Sequence, residues 1–321
     1  MSNVRSNMEK RWELEPKDAA YPSALRDLDP VPAVLYVRGD PGALASPCLS
    51  VIGARRATPY GVAVAEMAGR VAAECGIVVV SGGAMGCDCA AGRAALSAGG
   101  KTVVVAGCGA DMVYPASSAD VFEGAVATGG AVVSLERWGS PPRRYAFPKR
   151  NAIIAALSSC LFVTEAGMRS GTMSTADVAI ELGRKVYGIP GSIFSPLSAG
   201  TNWLISEGAR VICDEASLEA AISLDYGRLR FTDAPGGRED LGRVLSALVA
   251  SPSRADDLAA RLGENVIAIL SALSDYEAAG AVTKLPDGRY APTSEFYLSH
   301  NGLTGSKGSP AGRKGEHVPD S

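Results

Sequence analysis

The stretch LSVIGARRATPYGVAVAEMAGRVAAECGIVVVSGGAMG, residues 49–86, decides the fold. Two short apolar runs, LSVIG at 49–53 and IVVV at 77–80, flank a helix-compatible segment over Gly61–Cys75. Neither run alternates polar with apolar residues. Continuous apolar runs of this length belong to strands covered on both faces. A strand, a helix and a second such strand make a βαβ unit.

The same rhythm extends in both directions. Upstream, prolines 22, 30 and 32 punctuate a chain that leads to a strand at Val34–Arg38. Downstream come the apolar runs TVVVAG (102–107), AVVSL (131–135), CLFVTEA (160–166), KVYGI (185–189) and ARVI (209–212). Helix-compatible stretches lie between them at Asp88–Ala98, Arg150–Ser158, Ser174–Gly183 and Asn202–Glu207. The alternation predicts an α/β fold with a doubly wound, mainly parallel sheet. Residues 1–20 are polar and read as a frayed N-terminal extension, and 21–225 as the Rossmann-like domain. Residues 226–239 read as a linker, because TDAPGGRED is rich in Gly, Pro and charge.

Residues 240–295 read as a winged-helix-like domain. Helices are expected over Asp240–Ala250, 253–263 and Asn265–Ala279, then a hairpin over 281–292 turning at Asp287-Gly288. Such a unit often binds DNA, and a protein-contact or structural appendage is the alternative. The third helix carries no Lys or Arg, which favours protein, since recognition helices present basic or amide groups to bases and phosphates. Residues 296–321 have almost no apolar content and are expected to be disordered.

Composition narrows the function. The 321 residues carry 31 basic and 34 acidic side chains, net −3. That excludes a globally basic nucleic-acid coat but not a local basic patch. The two histidines, His300 and His317, fall in the last 22 residues. The body of the chain therefore has no His-based metal site, nucleophile or general base, and no metal or cofactor is expected. Seven cysteines without a CxxC pair read as free thiols in a reducing cytosol. No signal peptide is apparent and no run reaches 18 apolar residues, so a cytoplasmic protein without a membrane span is expected.

Five motifs carry candidate chemistry. In VIGARRATPYG (51–61), Gly53 ends a strand and places Arg55 and Arg56 at the ligand edge of the sheet, where guanidinium forks suit phosphate. The other reading is an ordinary turn with solvated arginines. In VVVSGGAMGCD (78–88), Ser81, Gly82 and Gly86 precede a helix whose N–H groups suit an anion. The spacing matches neither GxGxxG nor a Walker A loop, and Asp88 reads as a helix cap. In RWGSPPRRYAFPKRN (137–151), Arg137, Arg143, Arg144, Lys149 and Arg150 interleave with Trp138, Tyr145 and Phe147. Cations for phosphates and rings for bases are the composition of a single-strand surface. A solvated loop anchored by its aromatics is the alternative. In FVTEAGMRSGT (162–172), Ser170, Gly171 and Thr172 open another helix, with Glu165 either a base or a carboxylate neutralised near Arg169. In IPGSIFSPLSAGTN (189–202), Pro190-Gly191 closes a strand and Asn202 begins a helix on the rim of the same crevice.

Taken in order, VIGARRAT-YG, VVSGGAMG-D, Tyr114-Pro115, FPKRN, EAGMRSGT and IPGSIFSPLSAGTN resemble the DNA-processing protein A family (DprA, also called Smf). The likeness runs from Tyr21-Pro22 to about Val211 and continues more weakly beyond. It implies an extended Rossmann-like domain that binds single-stranded DNA, a C-terminal winged helix, self-association as a homodimer, and loading of the RecA recombinase in natural transformation, with no catalytic role. By motif position it places DNA contacts on Gly53, Arg55, Ser81, Gly82, Phe147, Lys149, Arg150 and Asn151. The family's usual N-terminal helical domain is missing here or reduced to residues 1–20. Two positions depart from its pattern: Gly92 stands where a histidine is common, and Ala152 replaces an arginine after Arg150-Asn151.

A nucleotide-binding or nucleotide-processing protein is the alternative. The fold also resembles nucleoside-monophosphate phosphoribohydrolases, whose motif is PGGxGTxxE. Thr175 stands where their catalytic Glu would be, and a threonine cannot stabilise an oxocarbenium charge as a carboxylate does. A third reading is a ligand sensor that holds a nucleotide in the crevice and a partner on the C-terminal domain. The glycines fit any of these: twelve of the 37 fall in residues 51–110, where even spacing gives about seven, and many end strands or open helices.

Overall fold

The computed structural model describes residues 10–228, 230, 244–245, 247–248, 251–278 and 280–293. The chain forms two compact units, Met1–Glu239 and Asp240–Ser321.

The first unit is a nine-stranded sheet. Its strands are β1 (Arg11–Leu14), β2 (Leu35–Gly39), β3 (Cys48–Ile52), β4 (Val78–Ser81), β5 (Thr102–Val105), β6 (Ala131–Ser134), β7 (Cys160–Val163), β8 (Lys185–Gly188) and β9 (Arg210–Val211). They lie in the order β1-β2-β6-β5-β4-β3-β7-β8-β9. β3 to β9 pair in parallel, while β2 runs antiparallel to β6 and β1 antiparallel to β2. The apolar runs are continuous because both faces are covered. Val78 and Val80 enter one core cluster and Val79 the other, each buried.

Helices α1 (Pro59–Glu74), α2 (Cys87–Ser97), α3 (Ala119–Ala127), α4 (Ala146–Leu157), α5 (Gly171–Glu181), α6 (Ala199–Ser206) and α7 (Glu215–Tyr226) cover the two faces. Residues of α4, α5 and α6 pack on one face, and those of α1, α2 and α7 on the other. α1 starts where its sequence says it should. Pro59 sits at the first turn and the Thr58 hydroxyl accepts from the Gly61 N–H.

Three features differ from the sequence reading. Residues 1–20 were expected to be an extension, but Arg11–Leu14 form an edge strand in register with β2, Leu14 facing Leu35. The Trp12 indole donates to the Gly39 carbonyl at 3.2 Å. Only Leu14 of the four is buried, so the strand carries too little apolar pattern to be read alone. α3 and α7 were also unforeseen. α7 is started by Asp214 and Ser217, whose side chains bond each other's backbone, a capping box lacking the usual Glu or Gln. It runs through Tyr226, whose hydroxyl donates to the Cys48 carbonyl at 2.6 Å, so residue 226 belongs to the sheet unit rather than to the linker.

In the second unit, α8 (Ala255–Leu262) ends at left-handed Gly263, and α9 (Val266–Ala278) leads into a hairpin of β10 (Val282–Lys284) and β11 (Tyr290–Pro292). Gly288 takes φ +83° at the turn. The helix expected over 240–250 falls largely outside the described residues, as do most of the 226–239 linker and the tail from 296.

α1 and α2 pack backbone to backbone. A Cβ at Gly69 would stand 2.1 Å from the Ala91 carbonyl oxygen, which belongs to a helix and cannot swing aside. Gly69→Val is therefore expected to cost about 1–3 kcal/mol or more, the usual range for overpacking, read as a lower midpoint in urea unfolding.

Candidate nucleic-acid interface

The chain leaves β3 toward β4, β5 and β6, then returns to place β7 on the other side of β3. The connections after β3 and β7 diverge, and such a switch point leaves a crevice at the carboxyl ends of the strands. A cleft of about 430 Å³ opens there. Arg55, Arg56, Arg150 and Arg169 line it, with Gly53, Asn151, Ser170, Gly171 and Thr172. Among the described residues Asp88 is the one carboxylate that lines it.

Arg150 and Asp88 form the floor. Both side chains are nearly inaccessible, and the Arg150 Nη1 lies 3.9 Å from the Asp88 Oδ2. Burial raises the Asp88 carboxyl above its ordinary 3.8, against the opposing pull of Arg150 and of backbone N–H groups. Burial likewise lowers Arg150, against the pull of Asp88. On both partners desolvation outweighs attraction, so the pair costs stability. Asp88 also accepts from the Gly82 N–H at 3.2 Å and so folds the loop onto itself rather than capping α2, whose cap is Gly86. The Arg150 Nε is buried without a partner. A Cβ at Gly82 would stand 1.4 Å from the Arg150 Nη1, so the glycine makes room for the guanidinium.

Phe147 is the hub of the aromatic part. The Arg55 guanidinium lies 5.2 Å and that of Arg150 5.8 Å from its ring centre, both within cation–π range. Tyr114 stands 6.0 Å away, ring to ring. Lys149 lies 5.4 Å from the Tyr145 ring. Arg143, Arg144 and Lys149 are exposed beside them. Trp138 differs: it packs edge-on against Tyr36, donates to Glu13, and is covered by Arg11. It anchors the loop to the sheet edge.

The α5 N-terminus closes the far wall. Ser170 accepts from the Met173 N–H, the Thr172 hydroxyl donates to the Gly53 carbonyl at 3.1 Å, and Asn151 donates to the Gly171 carbonyl at 3.3 Å. These bonds join three distant motifs into one wall. Glu165 lies elsewhere than expected. Its oxygens accept the Thr58 N–H and hydroxyl, so it caps α1 instead of meeting Arg169.

Not every expected contact residue faces the cleft. Ser81 is buried, its hydroxyl donating to the Val51 carbonyl at 2.7 Å, and it ties β4 to β3. Gly53 lines the cleft with backbone alone: a Cβ there would stand 2.3 Å from the Thr164 Oγ1, so the missing side chain leaves room for packing beneath. Gly86 takes φ +81° where its loop crosses the Ala54 carbonyl. Tyr114 and Arg169 were absent from the expected contacts. Tyr114 sits 33 residues before Phe147, with only the Tyr-Pro pair to signal it, and Arg169 in sequence reads as a charge that neutralises Glu165.

A cationic cleft at the switch point of a doubly wound sheet, with a second unit of two helices and a hairpin, defines a Rossmann-like protein built to hold an anionic ligand. Residues 13–222 match the model of the DNA recombination-mediator protein A family, and 232–288 match the DprA winged helix domain. The chain belongs to this DprA/Smf family. It is 34% identical over 279 residues to protein Smf of Escherichia coli (strain K12), spanning 84% of this chain and 74% of that one. It is 38% identical over 195 residues to DNA processing protein DprA of Streptococcus pneumoniae (strain ATCC BAA-255 / R6), spanning 61% and 68%. The X-ray structure of Streptococcus pneumoniae DprA superposes with a TM-score of 0.61 at 35% identity, over 68% of this chain and 76% of that one. DNA processing protein A of Helicobacter pylori, solved for its single-stranded DNA binding mode, gives 0.61 at 30% identity, over 67% and 97%.

Because the buried pair costs stability, Asp88→Asn/Arg150→Met is expected to unfold no more easily than the parent, and up to about 1–4 kcal/mol less easily. Arg150→Met alone leaves Asp88 without its partner and raises its native pKa further above the unfolded value. A native state that holds its proton longer loses stability as pH rises. The single variant therefore compares best with the parent at acid pH, where a protonated Asp88 does not need Arg150. It falls behind by up to about 3 kcal/mol towards neutrality, as urea unfolding across pH will read.

Proposed function

We propose that the arginine cleft and the 137–150 loop form one track for single-stranded DNA, and that the protein is a recombination mediator. In this reading it shields an incoming strand and loads a RecA-class recombinase on it during natural transformation. It acts without catalysis, as a cytoplasmic homodimer. The observation that carries the reading is local charge: four arginines line the cleft, two of them, Arg55 and Arg150, lie against Phe147, and an exposed lysine lies against Tyr145, in a chain of net −3. Cations beside the exposed side chains of Tyr114 and Tyr145 suit a strand whose bases are free to stack. The Helicobacter pylori relative, described by its single-stranded DNA binding mode, supports it.

Arg55, Arg56, Arg143, Arg144, Phe147, Lys149, Arg150, Asn151, Ser170, Gly171 and Thr172 are the proposed DNA contacts. Gly53, Ser81, Gly82 and Gly86 shape the floor beneath them. The cleft volume also suits a small ligand, which keeps mononucleotide binding as a second reading. Phosphoribohydrolase chemistry lacks its carboxylate: Thr175 is buried and its hydroxyl donates to the Gly171 carbonyl at 3.0 Å.

Anisotropy with oligo-dT across a salt series tests the track. Affinity should fall with salt at a slope of about 0.7 per phosphate neutralised. Arg55→Ala/Lys149→Ala, both exposed, should lower affinity and flatten that slope. Tighter binding of mononucleotides than of the strand, or release of free base from them, would sink the mediator reading.

The second unit bears on the same measurement. α9 has no Lys or Arg. Deleting residues 240–321 should leave single-strand affinity within about tenfold, ~1.4 kcal/mol. A larger loss would assign DNA contacts to that unit.

A further inference from the structure

We infer that the loop carrying Ile193 and Phe194 is a nucleobase platform that extends the single-strand track beyond the arginine cleft; this rests on the cleft being the seat of the strand. Ile193 is 84% and Phe194 89% exposed, the highest values among the large apolar side chains described. Folding gains nothing from apolar groups left in water. The loop is nevertheless held in place. The Tyr60 hydroxyl donates to the Pro190 carbonyl at 2.8 Å. Gly191 and Asn202 exchange two hydrogen bonds of 3.0 Å. Ser192 accepts the Phe194 N–H on its side chain and the Ser195 N–H on its carbonyl.

The loop also reaches the cleft. Leu197 and Arg169 both line it. The Pro196 carbonyl lies against Gly167, 3.4 Å from where a Cβ would stand. No charged residue occurs between Lys185 and Glu207. The loop that carries this neutral apolar tip therefore runs into the cleft that the arginines line. That juxtaposition suits a ligand with phosphate on one edge and a flat apolar face on the other, which is a nucleotide of a single strand. An anionic membrane would draw on cations in the loop itself, and duplex bases are stacked out of reach.

Phe194→Ala removes no core contact, so it tests the platform without unfolding the chain. Affinity is measured by anisotropy on oligo-dT and on an abasic strand of equal length, with Lys149→Ala as reference. Phe194→Ala should weaken oligo-dT binding about tenfold, the scale of one lost base–aromatic stack, and bind the abasic strand as the parent does. Phe194→Trp should retain oligo-dT binding, its emission quenched by the stacked base. If Phe194→Ala keeps parental affinity for oligo-dT while Lys149→Ala loses it, the platform is wrong and the cleft reading stands. If the parent binds neither strand, the cleft reading fails and the platform falls with it. If Phe194→Ala instead turns a sedimenting dimer into a monomer at unchanged DNA affinity, the patch joins two copies of the chain and the inference is overturned.

Discussion

A parallel strand has to be covered on both faces, and the rest of this molecule follows from that requirement. Helices must be laid on each side of the sheet, so the winding has to reverse once. It reverses at β3, between β4 and β7. The loops that leave β3 and β7 part company there, and their separation is the cleft. The glycines near it answer the same demand for close covering. Gly69 lets α1 lie on the backbone of α2, and Gly53 lets Thr164 and Cys87 close beneath the cleft floor.

Charge is arranged against stability at this one place. Arg150 and Asp88 are drawn out of water together, and burial acts against the charged form of each. A hydrophobic pair there would be at least as stable. What the ion pair provides is a guanidinium fixed at the bottom of an open cleft, where Phe147 lies within cation–π range of both it and Arg55. Preorganised cations on rigid supports bind anions with little ordering cost.

Much of this was legible in the residues. The continuous apolar runs marked the strands because each side of each strand is buried. FPKRN and RSGT marked the walls of the cleft because cations and small residues at helix starts have few other uses together. The edge strand at Arg11–Leu14 was not legible, since a strand with one buried residue carries no period. The function of Glu165 was misread because its partner, Thr58, lies 107 positions away.

By itself the sequence determined the class of fold, the near-neutral chain with a local basic segment, and the family likeness. Those depend on composition and short-range order, which a linear text contains. Tertiary structure alone decided which cations share a cleft, that Arg150 is buried while Lys149 is exposed, and that Ser81 serves the sheet instead of the surface. Those outcomes depend on strand order and on the burial it imposes. Two residues adjacent in sequence, 149 and 150, face opposite environments because one turn of α4 meets the sheet on one side and water on the other.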